Sequence, residues 1–147
     1  MLTTKQLRRY LKEHYSYELQ MINFSYVCLC SLDFGRMENG KYFQNAMIES
    51  FCIHARALID FYEAPQPRKT DLTYFHFSIQ PKFGRKVYGS SRYVKLNKQI
   101  AHLTEERIGA RKINAADREA LWKAISRKHA AFVAAIRPEY RDCFPPD

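Results

Sequence analysis

Glycine is scarce in this sequence: five residues scattered singly along 147 positions, with no glycine-rich run. That excludes a phosphate-cradling nucleotide loop. Cysteine is rarer still. Cys28, Cys30, Cys52 and Cys143 form no Cys-x-x-Cys or Cys/His spacing, so no metal site is expected. Cys28 and Cys30, two apart on a helix, would point about 160° away from each other. They read as reduced core residues of a cytoplasmic protein. Long apolar runs are missing as well. The most apolar one, Met21 to Leu32, contains Asn23, Ser25 and Ser31 and falls short of the ~20 residues that cross a membrane. The N-terminus, MLTTKQLRRYLKEH, is charged and amphipathic rather than a leader. No Ser/His/Asp order and no paired-carboxylate pattern is present, and no cofactor is implied.

Acidic side chains are also in short supply. Asp and Glu number 15 against 24 Lys and Arg, a formal net charge of +9. Such an excess suits a polyanion partner, because cationic side chains displace the counterions condensed on nucleic acid; it equally serves solubility. Aromatic residues are plentiful, with ten Tyr and ten Phe, enough to fill a core or line a contact surface. A chain of this length can bury roughly 70% of its unfolded surface, so one domain over residues 1–147 is expected.

Hydrophobic periodicity predicts an all-α protein, an antiparallel four- to five-helix bundle with a long irregular insert between its second and third main helices. The first stretch runs from about Thr4 to Leu32, capped by Thr3 or Thr4. From Leu19 onward it is apolar nearly all round, which places it centrally or against a partner subunit. Asp33-Phe34-Gly35 ends it, and Gly40 keeps the connection loose. The second stretch, about Tyr42 to Glu63, repeats Met47, Phe51, Cys52, Ala55, Leu58, Ile59 and Tyr62 at helical steps. Glu49, Arg56, Asp60 and Glu63 share the adjoining face. They form either an ion-pair ladder or a guanidinium, Arg56, held to meet a phosphate.

Pro65 and Pro67 close that helix, and irregular chain follows to about Ser91. Its Thr70-Asp71-Leu72-Thr73 can cap a short helix. Arg68, Lys69, Lys82, Arg85 and Lys86 alternate there with Tyr74, Phe75, Phe77, Phe83 and Tyr88. Cations among rings suit single-stranded nucleic acid, and rings in a loop equally form a satellite core. The third stretch, Ser91 to Glu106, is capped by Ser90 or Ser91 and buries Tyr93, Leu96, Ile100 and Leu103. Lys95, Lys98 and His102 project from its other side. His102 is either exposed among solvated charges or a titratable group beside a cation, as acid/base work on a phosphodiester requires. The fourth stretch starts near Asn114 and ends before Pro138. It buries Leu121, Ile125 and Phe132, with Lys123 and Arg127 opposite and His129 inside the stripe as a hydrogen-bonded core residue. The tail 137–147 is expected to be loosely packed, since Pro145 and Pro146 stop any helix.

ESFCIHARALIDF (Glu49 to Phe61) together with LNKQIAHLTEER (Leu96 to Arg107) resembles a group of small, mostly bacterial helical proteins. The second segment is similar to the signature of the HEPN superfamily, the higher eukaryote and prokaryote nucleotide-binding domains. That signature is an Arg, four to six residues, then a His. With His102 as the His, Asn97 stands where the family has Arg and Lys98 where it often has Asn; Arg92 is too far back. The resemblance covers two helices. It implies a homodimeric bundle acting as a metal-independent endoribonuclease on single-stranded RNA, of toxin or defence type. His102, Lys98 and Asn97 would then be the catalytic set, and Arg56, Lys95 and Arg92 the RNA contacts. Members that have lost the motif serve instead as non-catalytic modules that bind RNA or a protein partner such as an antitoxin.

Overall fold

The computed structural model describes residues 2–64, 67–100 and 113–144. They form an all-α bundle, and among them the nearest approach to a sheet is one isolated antiparallel bridge between Ser78 and Ile136.

Helix α1 (Thr4–Tyr10) starts at Thr3, whose side chain accepts the Gln6 N–H while Gln6 reaches back to the Thr3 N–H. This reciprocal cap satisfies two amides that the first turn leaves without partners. A π-helical segment, Leu11–Tyr15, carries α1 into α2 (Ser16–Ser31). The Ser16 hydroxyl donates to the Leu11 carbonyl at 2.9 Å, and Leu11 and Tyr15 are both fully buried. The wider turn shifts the phase of the helix, which periodicity at 3.6 residues does not anticipate.

Helix α2 is not central. Only Ile22 and Ser25 are buried, and Tyr17, Phe24 and Val27 remain exposed along one side. The expectation for the cysteines is corrected accordingly. Cys52 is a core residue whose thiol burial pushes up to about 12, but Cys28 is half-buried and Cys30 exposed, because α2 buries only the narrow face of Ile22 and Ser25.

Helix α3 (Gly40–Glu63) lies against α2 and supplies more of the described core than any other element, with Phe51, Cys52, Ala55, Leu58, Ile59, Phe61 and Tyr62 buried. Its first residue is no loose joint. A Cβ on Gly40 would sit 1.8 Å from the Phe34 carbonyl oxygen, so the turn closes only over glycine. Across the pair, Ser25 donates or accepts at 2.8 Å with Ser50, and His54 Nδ1 meets Glu18 at 2.7 Å.

Helix α4 (Ser91–Ile100) is capped by Ser90, whose hydroxyl accepts the Tyr93 N–H. Helix α5 (Ala115–Ala134) is capped by Asn114 in a reciprocal box with Asp117. Among the described residues the segment between α3 and α4 carries a single 3-10 turn, Tyr74–His76, capped by Thr73, the last residue of the Thr70–Thr73 stretch expected to cap a short helix. Its rings do form a satellite of the core: Phe77 is fully buried and Phe83 stacks edge-on against Tyr74.

The expected loose tail is also corrected, as far as Phe144. Residues Pro138–Cys143 form a 3-10 helix with Tyr140 buried, Phe144 packs on Tyr15, His129 and Phe132, and Arg8 pairs with Asp142.

At the centre, the Tyr15 hydroxyl lies 2.6 Å from that of Tyr62 and 2.7 Å from His129 Nδ1. His129 therefore is the hydrogen-bonded residue its position in the apolar stripe suggests. Burial raises the pKa of both tyrosines well above the ordinary phenol value. Both phenols therefore stay protonated, and each hydroxyl takes part in the buried hydrogen-bond chain.

Candidate nucleic-acid interface

Lys128 occupies the same stripe of α5 as Leu121, Ile125 and Phe132, and its side chain is 2% exposed. A buried ammonium needs partners on every side. It finds them in the Glu63 carboxylate at 3.0 Å and in the carbonyls of Phe83 and Arg85 at 3.2 and 3.1 Å. Glu63 in turn accepts the backbone N–H groups of Val87 and Tyr88 at 2.7 and 2.8 Å. One buried ion pair thus pins residues 83–88 of the insert onto α3 and α5. Glu63 does not join a ladder with Arg56; it turns inward. A lysine three and four residues from core positions was the signal of this role.

The pinned loop is one wall of a groove of about 730 Å³; the others are the first turn of α4 and the outer side of α5. Among the described residues fifteen line it, of which seven are Lys or Arg and none is Asp or Glu. The chain as a whole carries 24 Lys and Arg in 147 residues, so the groove concentrates positive charge about threefold. Its cations differ in what holds them. Lys128 is committed to Glu63, Lys123 to Glu119 at 2.6 Å, and Arg92 stands 3.7 Å from Asp117. Lys82, Arg85, Lys86 and Arg127 have no carboxylate within ion-pair distance among the described residues. These four project charge into the groove without internal neutralisation.

The expected site residues fall as follows. His102 lies outside the described residues. Asn97 and Lys98 are half-buried on α4, and Asn97 Oδ1 is buried without a hydrogen-bond partner among the described residues. Lys95 reaches Asp117 at 2.6 Å, and Arg92 lines the groove beside the same carboxylate. Asp117 is buried. Burial raises its pKa, but the hydrogen bonds from Lys95 and Asn114 and the charges of Lys95 and Arg92 outweigh that and hold it below the usual carboxylate value. Arg56 pairs with Asp60 at 3.7 Å and faces away from this groove into a second cleft.

That second cleft, of about 650 Å³, lies between α3 and residues 67–73 and carries both signs of charge. Tyr93 donates its hydroxyl to Asp60 at 2.8 Å, and burial together with that bond pushes the phenol up to about 12. Tyr88, exposed and 4.8 Å from the Tyr93 ring, stands at its edge.

Among the described residues no group of His, Cys, Asp and Glu is arranged to hold a metal ion, and no helix is long and apolar enough to cross a membrane. In comparisons with known proteins the chain matches no family model, no curated protein and no solved structure.

Proposed function

We propose that this protein is an RNA-binding helical module whose basic groove takes the phosphates of a single strand. The observation that carries this reading is the set of four cations, Lys82, Arg85, Lys86 and Arg127, that have no paired carboxylate among the described residues, in a groove that none of the described Asp or Glu lines. Solubility charge is ordinarily spread and interspersed with acids, whereas here the cations converge on one concave wall. The wall is part loop and part helix, fixed by a buried ion pair, so little ordering entropy is lost when a strand binds. One aromatic residue of the insert, Phe83, lines the groove beside these cations, and a ring among cations suits an unpaired strand better than a duplex.

With four to six phosphates neutralised, affinity for a labelled single-stranded RNA falls by roughly 50- to 300-fold between 50 and 200 mM salt. Reversing Arg85 and Arg127 to Glu lowers affinity at low salt and flattens the salt slope by about 0.7 per lost phosphate contact. Fluorescence anisotropy measures both. Binding indifferent to salt, or unchanged in the double variant, defeats this reading.

Cleavage of the bound strand is the extension that the sequence resemblance supplies, with His102 as the acid/base group. If His102 has that role, His102→Ala lowers cleavage in EDTA by roughly 10²- to 10⁴-fold and leaves strand affinity near its original value. Undiminished cleavage by the variant removes the histidine from the reaction and leaves the binding module.

A further inference from the structure

The loop that walls the basic groove also walls the second cleft. Lys86, Val87 and Ser90–Arg92 line the groove, while the intervening and neighbouring Tyr88 and Tyr93 line the cleft, so the two cavities lie on either side of one short stretch of chain. A strand whose phosphates lie along the groove therefore has a cavity within the same wall for one unstacked base. The cleft's size falls in the range of small-ligand sites.

Its chemistry selects among bases. Tyr88 offers an exposed ring for stacking. Beside it, Asp60 and Arg56 stand 3.7 Å apart, each side chain nearly half exposed. Asp60 Oδ1 accepts the Tyr93 hydroxyl, which fixes the carboxylate while leaving further lone pairs on both oxygens. Two acceptors next to a guanidinium donor complement an edge that presents two donors next to an acceptor. Guanine has that edge, with N1–H and the N2 amino group beside O6. Adenine and cytosine offer one amino donor each, and uracil one imino donor between two carbonyls.

We infer that the cleft between α3 and the insert binds a guanine base, with Asp60 accepting from N1–H and N2–H, Arg56 donating to O6 and Tyr88 stacking on the ring. The inference rests on the RNA reading above for the identity of the chain that carries the base. Asp60 and Arg56 touch the base, and Tyr93 is a positioning residue acting through Asp60.

The test is fluorescence anisotropy at one salt concentration. The probes are labelled oligouridylates of equal length with G, A, C or U at the central position. The G-containing strand should bind about tenfold more tightly than the other three. Asp60→Asn should bring it to their level with the salt slope unchanged, because an amide replaces one acceptor by a donor and no groove cation is touched. Tyr93→Phe should weaken the guanine preference without removing it. Equal affinity for the four strands overturns the guanine assignment while leaving the groove reading intact; failure of every strand to bind overturns both. Guanosine monophosphate alone, measured by calorimetry, should bind at least about a hundredfold more weakly than the G-containing strand, since it forgoes most groove contacts. Micromolar, Asp60-dependent binding of the free nucleotide would instead assign the cleft to a nucleotide and overturn the RNA form of the proposal.

Discussion

Asp60 and Glu63 are less than one turn apart on α3, both carboxylates and both paired with a cation, yet their surroundings differ. Glu63 is 4% exposed, holds Lys128 at 3.0 Å and takes two backbone amides of the insert. Asp60 is 44% exposed, stands 3.7 Å from Arg56 and takes one phenol. The first carboxylate is fully occupied within the protein and organises a loop. The second keeps acceptor capacity facing a cleft. Burial, rather than the presence of an ion pair, separates a structural carboxylate from one available to a ligand.

Removing the cation from the buried pair tests this contrast most severely. Lys128→Met should destabilise the fold by about 3 to 5 kcal/mol, because the Glu63 carboxylate is left in the interior without its counter-charge. Urea denaturation reads the loss. Adding Glu63→Gln to that variant should recover part of it, since a neutral amide costs less to bury. A double variant as unstable as the sum of its parts would mean the two residues act independently.

Asp117 gives an intermediate effect. Its folded pKa is depressed, so its contribution is present above the ordinary carboxylate value near ~4 and is lost as pH falls through the lower folded value. Asp117→Asn should cost about 1 to 2 kcal/mol at neutral pH. The gap from the unaltered protein should close as the solution is acidified below about pH 4. Denaturation midpoints measured across pH 2 to 7 check the sign. The same substitution releases Lys95 and Arg92 from their shared carboxylate, and RNA affinity should rise by a few-fold at low salt.

The exposed pair should matter least to stability. Arg56→Ala is expected to change it by less than about 1 kcal/mol, since solvent screens a half-exposed pair at this separation. The preference for a G-containing strand should nonetheless fall in that variant. A large loss of stability would place Arg56 with Lys128 among the structural cations.

Much of the helical framework was legible locally. Thr3, Ser90 and Asn114 mark helix starts because capping is a contact over three residues, and the stripes through α3 and α5 identify their buried faces. The exposed side of α2 was not legible, because an all-round apolar helix carries no phase information about which face the bundle covers. The tail was misjudged for a related reason. Tyr140 docks on Phe77 and Phe144 on Tyr15, residues far back in the chain, and no local pattern encodes that.

For the candidate sites, the residue types were visible and their alliances were not. Lys82, Arg85 and Lys86 stood out as cations among rings, and Lys123 and Arg127 as a polar face, but their convergence on one wall depends on how the insert lies against α5. Lys95 and Arg92 looked available for RNA until α5 brought Asp117 to them.

Sequence alone determined the capped starts of α1, α4 and α5, the buried stripes of α3 and α5 and the excess of positive charge, since each depends on neighbours within a turn or on composition. Tertiary structure decided which cations are spent on internal carboxylates and which face a cleft. Those pairings join residues such as Glu63 and Lys128, far apart in the chain, and their strength depends on solvent exclusion that exists only once the helices have packed.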